Sequence, residues 1–196
     1  MKVMVVEYLF IVRHGESEAN KKGIDAGPRD YPLTKKGIKE ASFIAKTISK
    51  IKISAVYSSP VFRAKETAEI LARPHKLTVK TLEELTEAKI KPEFIGKKGR
   101  HHILTTPKAF CETNKDLLDR TCKAIEIIKK ETEGNVIVVS HGDVITAMLE
   151  NVVERKVTTE NYYVLHPETA ALNIVDVKDR PFLVLFNYHR KQFDDF

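Results

Sequence analysis

The sequence predicts an α/β protein, a three-layer α/β/α sandwich around a mostly parallel central sheet. Short, near-continuous apolar runs, such as residues 7–12 and 136–140, read as strands covered on both faces. Longer stretches with apolar residues at helical spacing lie between them, and strands alternating with helices imply a parallel sheet with right-handed crossovers. The chain has 196 residues, 42% of them hydrophobic and 31% charged, which suits one folded domain over 1–196.

The elements follow in order. Residues 7–12 form the first strand, and 15–33 a polar loop rich in Gly, Pro and Asp. Thr34 caps a helix running to about residue 49, with Ile38, Ala41, Ile44, Ala45 and Ile48 on one stripe. Residues 54–58 form a short strand. Ser59 fits an N-cap and Pro60 the first helical position of a helix to about residue 72. After a strand at 77–82, Pro92, Gly96, Gly99 and Pro107 make 86–112 an irregular lid or insertion over the strand ends. Asn114 or Lys115 opens a long helix to about residue 133, with Leu118, Cys122, Ile125 and Ile128 periodic and Gly134-Asn135 as its stop signal. A strand at 136–140, a helix at 144–153 and two closing strands at 171–177 and 182–187 complete the chain.

Composition narrows the function. The net charge of +6, from 33 Lys and Arg against 27 Asp and Glu, favours anions but is too weak for a nucleic-acid binder. No apolar run approaches the ~20 residues that span a bilayer. The apolar start lacks a small-residue cleavage site and reads as a core strand. Two cysteines, Cys111 and Cys122, do not make a disulfide scaffold. The expectation is a cytoplasmic protein with no membrane partner.

In such a sheet ligands bind at the carboxyl ends of the strands. Three of those ends carry unusual residues. The first ends in Arg13-His14-Gly15. The second ends in Ser58-Ser59-Pro60, with Arg63 in the first turn of the next helix. A later one ends in Ser140-His141-Gly142. Two arginines and two histidines thus converge on one edge, where unpaired helix amides add partial positive charge. Such a cluster repels itself when empty and is favourable around a dianion such as phosphate.

These residues resemble the histidine phosphatase superfamily, the phosphoglycerate mutase-like proteins. RHGES at 13–17, SSPxxRAxxTA from Ser58, SHG at 140–142 and the Leu-Thr-x-x-Gly element at 33–37 occur in the family's order and spacing. The resemblance implies that His14 is the nucleophile that takes a phosphoryl group. It also implies that Arg13, Arg63 and His141 grip the phosphoryl oxygens, with the Gly142 amide and Asn20 as further donors. Ser17 is expected either to touch the substrate or to hold the loop. An acid after the third strand would protonate the leaving oxygen and then activate water, and LEEL at 82–85 puts Glu84 at that position ahead of Glu83 and Glu87. No metal and no cofactor is implied.

Three features stand outside that pattern. Asp143 occupies a place usually held by a small residue and reads as a helix cap. GKKGRHH at 96–102 reads as a solvated basic loop, or as a lid whose Lys97, Lys98 or Arg100 meets a second anionic group. His101 and His102 are adjacent, with no partner at metal-ligand spacing, and His166 reads as structural. The chain is compact around the expected acid and lacks the motif that follows it in the mutases. The function expected is therefore a phosphomonoester phosphatase acting on a small anionic phosphorylated substrate through phosphohistidine. A cofactor-dependent phosphoglycerate mutase is the alternative, and a noncatalytic phosphate-binding module the second. The substrate, and whether the protein forms a homodimer, are left open.

Overall fold

The structure, a computed structural model, describes residues 5–99, 101–153, 158 and 162–189. A six-stranded sheet has the order β3-β2-β4-β1-β5-β6. Its strands are β1 (Val6–Arg13), β2 (Ile53–Ser58), β3 (Val79–Thr81), β4 (Gly134–Ser140), β5 (Leu172–Asp176) and β6 (Phe182–Tyr188). β1, β2, β3 and β4 are parallel, and β5 and β6 run antiparallel at the β1 side. The helices are α1 (Glu18–Lys22), α2 (Lys35–Ile48), α3 (Phe62–Ala72), α4 (Asn114–Glu131), α5 (Gly142–Val153) and α6 (Tyr162–Leu165). Among the described residues no helix is long and apolar enough to cross a membrane.

Alternation along the strands divides the core into two layers. Leu9 and Ile11 of β1, Tyr57 of β2 and Val136 and Val138 of β4 pack with Leu117, Ala124 and Ile128 of α4 and Ile145 and Met148 of α5. Phe10, Val12, Val56, Ile137 and Val139 point to the other face and pack with Ile44 and Ile48 of α2 and Ala64, Ala68 and Leu71 of α3. Both faces of β1, β2 and β4 are therefore largely dry, which explains why their runs read as near-continuous apolar residues.

Several local expectations shift. Residues 18–22, read as loop, form α1 behind a capping box of Ser17 and Asn20. Thr34 caps α2 by accepting from the Gly37 amide at 3.0 Å. Ile38, however, is 44% exposed, and the buried stripe begins at Gly37 and Glu40 instead. On α4 Ile128 is buried as expected, but the other buried residues are Leu117, Thr121 and Ala124, each one position before Leu118, Cys122 and Ile125, and Cys122 is exposed. α3 starts at Phe62 rather than Pro60 and has no side-chain cap.

The registers bring the functional strand ends level: Arg13 pairs with Ser140, and Ser58 with Val139. The backbone bonds His14 N–H to Ser140 O at 3.0 Å and Ser59 N–H to Val139 O at 2.9 Å carry that alignment one residue past the strands. The loop after β1 then lies directly on the first turn of α2. A Cβ on Gly15 would meet the Gly37 backbone, and one on Gly37 would meet the backbone of Glu16. Thr34 N–H donates to Glu16 O at 2.8 Å and Glu16 N–H to Glu40 Oε2 at 3.0 Å, which pins the loop there.

Candidate active site

The strand ends floor a cavity of about 680 Å³ lined by Arg13, His14, Arg63, Glu87 and Gly142 among others. His14 is buried, and its Nδ1–H donates to Gly15 O at 2.8 Å. A neutral imidazole has one N–H, so this bond leaves the lone pair on Nε2. Arg63 Nε–H donates to that lone pair at 3.2 Å. Burial, then the charges of Arg63 and Arg13, hold the His14 pKa well below the ordinary imidazole value. The ring is thus kept neutral, with its nucleophilic nitrogen beside two cations.

Arg13 reaches the cavity from the end of β1. Its Nη1 donates to Pro167 O at 2.6 Å and to His166 Nε2 at 3.1 Å. Arg63 is held from the first turn of α3, where Thr67 links it to the loop: Thr67 Oγ1 donates to Arg63 O at 2.8 Å and accepts from Gly15 N–H at 3.0 Å. Its two terminal nitrogens each lie 3.4 Å from Gly27 O.

His141 is wholly buried just beneath the cavity, its ring edge-on to His14 at 5.2 Å between centroids. Its Nε2 lies 2.8 Å from Ser59 Oγ, which already accepts from the Val61 amide at 3.2 Å. Donation from Ser59 Oγ–H to Nε2 places the imidazole proton on Nδ1, the nitrogen that faces the Glu87 carboxylate. That Nδ1 has no hydrogen-bond partner among the described residues, and Glu87 Oε2 stands 3.6 Å away. Burial and the nearby arginines depress the His141 pKa as well. Ser59, expected as a helix cap, accepts from the Val61 amide just before α3 and also bonds a histidine 82 residues away.

The expected acid is displaced. After β3 the chain leaves the extended conformation and enters a single 3₁₀ turn, Glu83–Leu85, so strand alternation no longer sets where the carboxylates point. Leu85 is buried in the core, and Glu84 turns toward α4, where Lys123 Nζ sits 2.7 Å from its Oε1. The hydrogen bond from Lys123 lowers the Glu84 pKa, which suits a fixed carboxylate rather than a proton donor. Glu87 comes back over the strand ends and lines the cavity. Burial and the neighbouring Asp143 raise its pKa to about 7. Arg120 of α4 holds this turn: it donates to Glu84 O at 2.7 Å and grips Glu112 at 2.9 and 3.1 Å.

Comparison with known proteins agrees with this geometry. The family model of the histidine phosphatase superfamily (branch 1) matches residues 9–188. The chain belongs to the histidine phosphatase superfamily. A 2,3-bisphosphoglycerate-dependent phosphoglycerate mutase of Thermoplasma acidophilum is 32% identical over 86% of each chain. A metal-independent phosphoserine phosphatase of Arabidopsis thaliana is 28% identical over 91% of this chain and 80% of its own. Among solved structures, Bacillus stearothermophilus YhfR superposes with a TM-score of 0.79 at 23% identity, covering 92% of this chain and 96% of its own. These resemblances show a phosphoglycerate mutase-like α/β sandwich.

Within this superfamily fold, Arg13, His14, Arg63 and Gly142 gather at one cavity, with His141 directly below. Asn20 and Ser17 also line it, but their side chains are tied to each other. Ser17 N–H and Oγ–H donate to Asn20 Oδ1 at 3.0 and 2.8 Å, so the serine hydroxyl holds α1 and the asparagine NH₂ is the group able to donate. Lys97 and Lys98 are exposed and do not line the cavity, while Arg100 lies outside the described residues. Asp143 sits inside the first turn of α5 rather than at its cap. His166, read as structural, lines the cavity beside it.

Proposed function

We propose that the protein is a phosphomonoester phosphatase that passes the phosphoryl group through His14. The observation that carries this reading is the Nδ1–H bond from His14 to Gly15 O at 2.8 Å, which presents a neutral Nε2 lone pair to a cavity ringed by Arg13 and Arg63. On substrate binding Arg63 Nε–H turns from Nε2 to a phosphoryl oxygen. The Nε2 lone pair attacks phosphorus as the ester P–O bond breaks, and Glu87, half-protonated near pH 7, gives its proton to the leaving oxygen. The resulting carboxylate then takes a proton from water, which attacks phosphorus as the P–N bond breaks and the electron pair returns to Nε2. Arg13, Arg63 and the Nδ1–H of His141 offset the charge of the transferring group.

Hydrolysis is favoured over intramolecular transfer because the segment after β3 is compact and lacks the motif that follows the acid in the mutases. Phosphoserine heads the substrate panel, since two relatives bear that activity in their names, the one from Arabidopsis and another from Hydrogenobacter thermophilus. Mutase activity is the second reading, favoured by the Thermoplasma relative. Rapid quench with a ³²P-labelled ester should trap an acid-labile, alkali-stable label in the wild type and none in His14→Ala. Turnover with no label on the wild type at any quench time overturns the phosphohistidine route. With 3-phosphoglycerate and a trace of 2,3-bisphosphoglycerate, free phosphate supports the phosphatase and 2-phosphoglycerate the mutase.

A further inference from the structure

Two features that the family pattern does not explain, Asp143 and the histidines of the lid, meet at one point. His102 Nδ1 lies 3.6 Å from Asp143 Oδ1, and the His102 ring packs edge-on against His166 at 4.6 Å between centroids. One ligand atom from each of His102, Asp143 and His166 falls within 4.8 Å of the others. The residues come from the lid, the first turn of α5 and the segment before β5, and all three line the phosphate cavity.

We propose that His102, Asp143 and His166 form an open binding site for a divalent transition ion, Zn²⁺ foremost, and that its occupancy inhibits the enzyme. Two imidazoles and a carboxylate are a donor set that zinc takes, with bonds of ~2.0–2.2 Å and tetrahedral edges of ~3.3 Å. The His102–Asp143 separation of 3.6 Å is close to such an edge already. Drawing in the third ligand needs a shift of up to about 1.5 Å, within reach of side-chain rotation in the partly exposed histidines. The fourth position opens on the cavity, where water or a phosphoryl oxygen completes the shell.

Inhibition follows from proton counting. Arginine only donates, so the 3.1 Å contact from Arg13 Nη1 uses the single lone pair of neutral His166 at Nε2. A metal must take that lone pair or force the proton to Nε2, facing the Arg13 N–H. Either way the ion breaks one of the bonds that aim Arg13 at the phosphoryl group, and its charge opposes the guanidinium. The same repulsion keeps the ion exchangeable, as a reversible inhibitor requires.

The site itself is tested without turnover. Titration of the metal-free full chain with Co²⁺ should give the intense visible bands of a low-coordinate ion at one equivalent, displaced by Zn²⁺. Asp143→Asn, which keeps the shape, and His102→Ala should each weaken binding at least about tenfold. Co²⁺ binding equal in the wild type and both variants, or no such spectrum, overturns the site. The inhibitory role rests on the phosphatase reading. Zn²⁺ should slow phosphate release from 4-nitrophenyl phosphate in the wild type, a chelator should restore it, and Asp143→Asn should need at least about tenfold more Zn²⁺. A chain that binds Co²⁺ as expected yet hydrolyses at the same rate with Zn²⁺ overturns the inhibition alone.

Discussion

Glu87 shows what a single residue's surroundings decide. Glu84 is chemically alike, yet the hydrogen bond from Lys123 lowers its pKa, while burial and Asp143 raise that of Glu87 to about 7. A donor matters most when the leaving oxygen is basic. Glu87→Gln should therefore lower kcat/KM by about 10²–10⁴ for phosphoserine and far less for 4-nitrophenyl phosphate. The reason is that kcat/KM reports the steps up to phosphohistidine, and the later water attack is common to both esters. Equal losses on both esters remove the proton-donor role. Stability follows with a definite sign. The native carboxyl keeps a proton that the unfolded one gives up near 4.5, so the empty protein loses stability as pH rises from about 4.5 to 7. Glu87→Gln should flatten that slope in denaturant titrations. Ser59 acts at one remove, by fixing which nitrogen of His141 holds the proton. Ser59→Ala should lower kcat about tenfold, the weight of one hydrogen bond to a buried ring. It should also mix the two tautomers in the ¹⁵N spectrum of the His141 ring. A spectrum still showing the Nδ1–H form alone would remove the positioning role.

At the scale of elements, apolar runs ending in Arg13-His14-Gly15 and Ser140-His141-Gly142 were legible because a strand buried on both faces leaves no other reading. Gly15 and Gly37 were visible as motif residues, but their reason is a contact between two backbones distant in sequence, which a linear pattern does not show. Glu87 was hidden for a related cause. Where β3 passes into a 3₁₀ turn, alternation stops, and contacts from α4 decide which carboxylate faces the cavity. Arg120 makes the main one, through Glu84 O and the paired oxygens of Glu112. Lysine keeps the charge but not the planar fork. Arg120→Lys should leave the fold intact by circular dichroism and reproduce in milder form the leaving-group dependence of Glu87→Gln. A uniform loss on both esters means that Arg120 supports the fold without placing Glu87.

Across the whole molecule, the site gathers residues from both ends of the chain onto one sheet edge, so occupying it should tie the entire fold together. Burial and then the charges of Arg63 and Arg13 depress the pKa of His14, so both guanidinium groups act on one ring. Arg63 is itself buried, and the same burial and the Arg13 charge lower its own pKa. A phosphate dianion relieves that repulsion in the native state and finds no such cluster in the unfolded chain. Orthophosphate at a hundred times its dissociation constant should then add about 2.7 kcal/mol. For a chain of this length that is a rise in Tm of roughly 5–11 °C by scanning calorimetry. Chloride at equal ionic strength should give little, because it offers one charge and no array of oxygens for the two guanidinium groups. Arg63→Met should abolish the phosphate-specific rise, since it removes one of the two guanidinium groups while methionine fills the buried position. Equal rises with chloride and phosphate, or a full phosphate effect in Arg63→Met, mean that the cluster does not bind the anion as a unit.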